Sequence, residues 1–157
     1  MLKQTLLVIT VSSGLSAFVD ASAAEFATPE EARAMLTRAI TEAKVNELSA
    51  IKRFNNNDVA FRDRDLFVFC FNTDDGQFTA HEAFVARDVR QLRDSTGKSF
   101  GLEMYDKAQE DRITEVVYAS PLPGSTEPTM KTAYIARVGD QVCGVSAYQF
   151  DLSRPAH

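Results

Sequence analysis

The sequence predicts an α+β fold, and three stretches of the chain predict it. Apolar residues recur at helical spacing from Ala32 to Ile51, residues 66–71 form a continuous apolar run, and residues 113–148 alternate between strand patterns and turns. The 157 residues are enough for one domain. Together these stretches predict a long N-terminal helix, a sheet of about five strands and short helices inserted mid-chain.

Composition and charge exclude several classes of function. The chain carries 17 Lys and Arg against 22 Asp and Glu, a formal net charge of −5, and has no basic block. Such a chain is a poor partner for nucleic-acid phosphates or an anionic membrane surface. Two His and two Cys are too few for a zinc finger or a disulfide-dense small fold.

Residues 1–23 have the order of a secretory signal peptide. Lys3 supplies a short cationic region, residues 6–11 are apolar, and residues 21–23 are small, as a cleavage site requires. Polar residues such as Asp20 interrupt the apolar run, so it is too short for a membrane anchor. We expect a periplasmic protein whose mature chain does not insert into the membrane and that folds in an oxidising compartment.

The N-terminal helix has a clear beginning. Thr28 can cap it, Pro29 suits its first position, and Glu31 completes a capping box. The run 54–58, a Phe followed by three Asn and an Asp, ends it, which predicts a single helix of about 25 residues.

The remaining elements follow from turns and apolar runs. Residues 66–71 and 77–81 predict a hairpin around the turn 72–76, and the segments 84–92 and 100–109 predict short helices. Three strands are then predicted at residues 113–118, 131–138 and 141–148, the last two joined by Gly139 and Asp140. Residues 151–157 are expected to form a C-terminal tail.

No catalytic constellation is recognisable. The chain lacks the HExxH, CxxC, GxSxG, P-loop and GxGxxG patterns, and the turn 72–76 does not have the ligand spacing of an EF-hand. Cys70 lies within an apolar run, where burial disfavours a reactive thiolate. The residues alone leave two alternatives for Cys70 and Cys143, a disulfide or two buried thiols. We therefore predict no catalytic residue, no metal site and no cofactor.

Four segments, in this order and spacing, resemble the single Cache domains, which are extracytoplasmic PAS-like sensor domains of bacteria. They are the hairpin 66–81 with its Ala-His ending, the segment 92–98, the loop 117–124 followed by Pro128 and Lys131, and the hairpin 134–148. The chain departs from the family pattern at Ser120, where Trp is usual, at Glu82, where Pro is frequent, and at Ala147. The resemblance implies a PAS-like antiparallel sheet in one domain at residues 28–150, as a free-standing secreted version.

The resemblance also implies a function. Cache domains bind short organic acids, amino acids or amines between the sheet and the loops across its face, so we expect a periplasmic small-molecule sensing module that is not an enzyme. Lys131 could supply a positive charge, and the tyrosines could supply hydroxyls and apolar walls. His81, with a pKa near neutrality, could donate or accept a hydrogen bond. The expected ligand contacts are Phe69, Phe71, His81, Tyr118, Lys131, Tyr134 and Tyr148. The aromatic residues could instead lie in the hydrophobic core, and Lys131 could instead lie exposed on the surface.

Two further expectations follow from the resemblance. The first and last strands of a PAS-like sheet lie side by side, which implies a structural Cys70–Cys143 disulfide. A membrane-bound sensor or transporter is a partner compatible with a sensing role. The alternative function is a pocketless scaffold or interaction protein that acts on a membrane sensor.

Overall fold

A computed structural model describes residues 25–150 of the chain. The predicted signal peptide at 1–23 and the predicted tail at 151–157 lie outside these residues and stay predictions. The structure is α+β, as predicted, with three α-helices and six strands in antiparallel pairs. The helices are α1 (Pro29–Val45), α2 (Glu47–Asn55) and α3 (Phe100–Lys107), and the strands are β1 (Arg62–Asp63), β2 (Leu66–Asn72), β3 (Phe78–Ala80), β4 (Thr114–Pro121), β5 (Pro128–Val138) and β6 (Gln141–Tyr148).

The N-terminal helix begins as predicted but is broken once. Thr28 and Glu31 form the capping box, with the Glu31 N–H donating to the Thr28 hydroxyl. At Asn46 the backbone is extended, with φ −159°, and the side-chain oxygen accepts from Ser49 N–H at 2.9 Å to cap α2. The prediction of one continuous helix is therefore wrong, because the Asn46 side chain satisfies a free N–H group of a new helix. The break lets α1 pack on β5 and β6 while α2 packs on β3.

The sheet has the strand order β1-β2-β6-β5-β4, and β3 pairs with β2 outside this order. The first long strand, β2, thus lies beside the last strand, β6. Cys70 and Cys143 are direct register partners on these two strands and form a disulfide.

Strand alternation divides the apolar residues between the two faces of the sheet. On one face Val68, Cys70 and Val145 pack with Leu36 and other residues of α1. On the opposite face a second cluster is formed by Phe69, Phe71, Phe78, Val89, Leu92, Met104, Val116, Ala133, Ile135 and Val142. This second face carries the cavity described below.

The chain between β3 and β4 departs from the prediction in one place. The helix predicted at 84–92 is wrong: the segment consists of turns and a short 3₁₀ helix, Val89–Gln91. The reason is that its backbone bonds to β3, with Phe78 N–H donating to Arg87 O and Ala86 N–H donating to Phe78 O, each at 2.9 Å. Ala86 also has φ +67°, which an α-helix does not allow. The short helix predicted at 100–109 is confirmed as α3.

Within residues 25–150, no helix has both the length and the apolar character needed to cross a bilayer.

Candidate functional site

A cavity of about 620 Å³ lies on the sheet face opposite α1. Residues of β2, β5 and β6 form its sheet side, and the segments 81–95 and 118–123 together with α3 form its walls. Its volume is in the range usual for small-molecule sites, and its lining combines aromatic rings with a few charged groups. This cavity is the candidate functional site of the domain.

Lys131 is the cation on the sheet side of the cavity. Its register partners are Tyr118 on β4 and Tyr148 on β6, and its ammonium lies 4.3 Å from the centre of the Tyr148 ring. Burial lowers the pKa of Lys131, while the charges of Asp65 and Glu82 oppose this shift. In the described part of the chain, no carboxylate lies within 4.0 Å of the Lys131 ammonium. Lys131 is therefore a half-buried cation whose partner is a ring face.

The two tyrosines beside Lys131 are held by different contacts. The Tyr148 hydroxyl donates to Pro121 O at 2.8 Å, which ties the end of β4 to β6. The Tyr118 ring stacks on Phe100 at 4.3 Å and 8°. Burial raises the pKa of Tyr118 to about 12, so this phenol keeps its proton at neutral pH and remains a donor.

His81 lies in an aromatic cluster at the wall of the cavity. Its ring is 4.5 Å from Phe84, 4.9 Å from Phe78 and 5.1 Å from Phe67, between ring centres. Nδ1 accepts from the N–H groups of Ala83 at 3.0 Å and Phe84 at 3.2 Å, so the proton of the neutral ring is on Nε2.

The charge of His81 differs from the expectation. Burial is the main cause that lowers the pKa of His81 to about 4; the charge of Glu82 opposes this shift, and the cations Arg87 and Lys131 contribute to it. The expected pKa near neutrality is therefore wrong, because the aromatic cluster removes water from the imidazole. At neutral pH His81 presents a fixed Nε2–H donor and no positive charge.

Asp94 holds the loop 94–98 against β4. One carboxylate oxygen accepts from the N–H groups of Thr96 and Lys98, both at 2.9 Å, and the other accepts from Ala119 N–H at 2.9 Å. Burial raises the pKa of Asp94, but these hydrogen bonds outweigh burial and lower it to about 2. Asp94 thus positions the Ala119 end of the cavity wall.

Replacement of this carboxylate is expected to loosen the wall. We expect Asp94→Asn to lower the free energy of unfolding by about 1–2 kcal/mol at neutral pH, as for the loss of a helix-capping side chain. Because the pKa in the folded state is below its ordinary value of 3.8, the stabilisation is present above that pH and is lost as pH falls toward about 2. Thermal denaturation at several pH values measures both effects.

Asp74→Asn is the matched control, since the exposed Asp74 carboxylate accepts no hydrogen bond within residues 25–150. A difference between the Asp94 variant and wild type that stays constant from neutral pH to pH ~2 would contradict this account.

The structure brings five of the seven expected ligand residues to the cavity and leaves two outside it. Phe69, His81, Tyr118, Lys131 and Tyr148 line it. Phe71 is 0% exposed and packs on Phe78 and Tyr105 deeper in the same face. Tyr134 is 4% exposed and lies on the α1 face, with the Arg33 guanidinium 4.3 Å from its ring centre.

Several lining residues were missed by the sequence analysis. Phe67 and Ser146 line the cavity, and strand alternation with Phe69 and Tyr148 could have identified them. Phe84 lies in a segment that was wrongly predicted to be helical, and Phe100 is the first residue of α3, so the predicted elements did not assign either ring to the cavity. Their place in the lining depends on the tertiary structure.

The arrangement of possible metal ligands does not support a metal site in the described residues. Across residues 25–150, no group of three or more His, Cys, Asp or Glu side chains is arranged to hold a metal ion.

Comparisons with known proteins find likeness at the level of fold. Neither models of known protein families nor curated proteins match this sequence. Among solved structures, the chain is similar to a methyl-accepting chemotaxis protein from Vibrio parahaemolyticus, with TM-score 0.58 and 18% identity over 76% of this chain and 86% of that one. It is also similar to a periplasmic sensor domain of a chemotaxis protein, with TM-score 0.56 and 20% identity over 77% and 90% of the two chains.

A third similar structure is a Cache chemosensory domain described for its recognition of carboxylic acids. Its TM-score is 0.52, with 18% identity over 77% of this chain and 88% of that chain. The three structures show that this chain has the fold of such sensor domains.

Proposed function

We propose that this domain is a periplasmic sensing or binding module that holds a small organic acid in the cavity and performs no catalysis. The observation that carries the proposal is Lys131, a half-buried ammonium in the cavity without a carboxylate within 4.0 Å in the described residues. A buried cation is stabilised by a negative partner, and a ligand carboxylate at Lys131 would provide one.

Neutral donors near Lys131 also support an anionic ligand. His81 lines the same cavity, and its Nε2–H finds no acceptor within hydrogen-bonding distance among residues 25–150. Tyr118 keeps its phenolic proton and lies opposite Lys131 across the β4–β5 pair. Hydrogen bonds from such neutral donors would favour the ionised form of a bound acid.

The charge of the lining favours an acid over an amine. Five lining residues are cationic and three are acidic: Arg62, Arg64, Arg87, Arg93 and Lys131 against Asp65, Glu82 and Asp94. This excess of positive charge contrasts with the net charge of −5 for the whole chain. The excess of positive charge would favour a carboxylate over a cationic amine.

The fold supports the same conclusion less directly. The similar Cache chemosensory domain is described as recognising carboxylic acids, and the other two similar structures are chemotaxis sensor domains. We extend the sensing role to this chain because the cavity, the cation and the fold occur together.

The alternative, a pocketless scaffold, is less well supported. The cavity argues against it, since a scaffold has no need of a half-buried cation in an aromatic-lined space. In its favour, Val45 and Leu48, beside the α1–α2 break, are 82% and 67% exposed. These two residues suit contact with a membrane sensor. Such a contact is also compatible with a binding module.

A ligand screen with a charge-removing variant tests the proposal. We expect short organic acids to raise the melting temperature of the wild type and to give a calorimetric binding signal, and amines to give neither. Lys131→Gln should weaken acid binding at least about tenfold, because a charge-assisted hydrogen bond contributes roughly 1.5–3 kcal/mol.

Lys52→Gln is the matched control, because Lys52 is exposed on α2 and is not part of the cavity lining. The proposal fails if no acid binds, or if the Lys131 and Lys52 variants bind acids equally well.

A further inference from the structure

Arg87 is a second cation of the cavity, and its backbone is held in place. Arg87 N–H donates to Phe84 O, and Phe78 N–H of β3 donates to Arg87 O, both at 2.9 Å. The side chain lies over the Phe84 ring, with the guanidinium carbon 4.6 Å from the ring centre. No carboxylate lies within 4.0 Å of this guanidinium in the part of the chain that the structure describes.

An aromatic surface formed by Phe84 and His81 adjoins Arg87. Phe84 contacts Arg87 on one side of this surface and stacks on His81 at 4.5 Å between ring centres. Besides burial, the charges of Arg87 and Lys131 lower the pKa of His81. Two cations, Arg87 and Lys131, and one neutral donor, His81, therefore line the same cavity.

The other three lining cations already have partners. Arg62 pairs with Glu82 at 3.0 Å, and Arg64 pairs with Glu31 at 2.6 Å. Arg93 donates to the hydroxyl of Ser99, which directs its guanidinium toward the start of α3. Arg87 and Lys131 are thus the two lining cations without a hydrogen-bonding side-chain partner among residues 25–150.

We propose that the cavity selects a dicarboxylic acid, with one carboxylate at Lys131 and the second at Arg87. This inference rests on the proposed function and names its ligand class. Two cations without side-chain partners in the lining of one cavity are best neutralised by one ligand with two negative charges. The planar guanidinium of Arg87 suits a carboxylate, because it can donate two parallel hydrogen bonds.

Calorimetry with matched acids tests the inference. The probes are three pairs of equal chain length: butyrate with succinate, valerate with glutarate, and caproate with adipate. At neutral pH and fixed ionic strength, we expect at least one dicarboxylate to bind about tenfold or more tightly than its monocarboxylate partner. Arg87→Gln should remove this advantage, because it should weaken dicarboxylate binding more than monocarboxylate binding.

Arg93→Gln is the matched control, because Arg93 lines the same cavity but donates to Ser99. We expect this variant to keep the preference for dicarboxylates. The inference is overturned if monocarboxylates bind as tightly as dicarboxylates, if Arg87→Gln keeps the preference for dicarboxylates, or if Arg93→Gln removes that preference as fully as Arg87→Gln does.

The two proposals fail in different ways. Binding of monocarboxylates that depends on Lys131 but shows no preference for dicarboxylates would leave the proposed function intact and overturn the role of Arg87. Absence of binding by every acid in the series would overturn both.

Discussion

Removal of the Cys70–Cys143 disulfide is expected to lower the free energy of unfolding by about 4 kcal/mol, on the loop-entropy account of cross-links. The two residues are 73 positions apart in the chain, so the cross-link excludes many conformations of the unfolded chain. It also joins β2 to β6, the central pair of the sheet, whose residues contribute to both apolar clusters. Urea denaturation of Cys70→Ala/Cys143→Ala, followed by circular dichroism, measures the loss.

The wild-type protein with and without reductant is the control, since its side chains are otherwise unchanged. Both cysteines are 0% exposed, so reduction requires prior unfolding and the reductant is added to unfolded protein before refolding. Alkylation of the denatured, unreduced protein provides a direct test. If both thiols react, the bridge is absent, and the double variant should then lose only the contacts of two small buried side chains.

Phe71→Ala is expected to lower the free energy of unfolding by about 3–5 kcal/mol, the usual range for removal of a buried aromatic ring. The ring is 0% exposed, and its centre lies 5.9 Å from Phe78 and 6.2 Å from Tyr105. Tyr105 is itself fixed by a hydrogen bond to Thr73 O at 2.5 Å, so the surroundings cannot readily collapse into the space left by the ring. Thermal or urea denaturation measures the effect.

Phe84→Ala makes a suitable comparison for Phe71→Ala, because Phe84 is half-buried and lines the cavity. We expect it to cost less stability than Phe71→Ala and to weaken ligand binding more. Equal stability losses in the two variants, or a Phe71→Ala protein as stable as wild type, would contradict the core position of Phe71.

Strand alternation accounts for what could be predicted about the cavity. Along β2 it places Phe69 and Phe71 on one face and Cys70 on the other, as the structure confirms. Along β5 the same rule separates Lys131 from Tyr134, which are three positions apart and so point to opposite faces. The expected place of Tyr134 beside Lys131 was therefore wrong for a reason visible in the sequence.

Strand alternation predicts the face of the sheet on which a side chain lies, but not how deeply that side chain is buried there. Phe69 and Phe71 share a face, but Phe69 lines the cavity and Phe71 is enclosed by β3 and α3. Gly144 on β6 is one residue that affects how Phe69 is buried. An added Cβ there would come within 2.4 Å of the Phe69 ring, so the missing side chain makes room for that ring across the sheet. Such depth depends on which elements cover the sheet.

The sequence by itself determined the fold class, the capping box that begins α1, the short helix α3 and the alternation of faces along β2. These features depend on residues close in the chain, whose spacing and hydrogen-bonding groups act locally. The residues alone left the state of the cysteines open, because two strands far apart in the chain must be neighbours before a disulfide can form.

Only the tertiary structure decided the conformation of the segment between β3 and β4 and the chemistry of the cavity. Backbone groups of that segment bond to β3 instead of forming a helix, so Phe84 and Arg87 reach the cavity from non-helical backbone. The low pKa of His81 also depends on the tertiary structure. Rings from separate parts of the chain, among them Phe67, exclude water from the imidazole, and desolvation by distant residues has no signature in the local sequence.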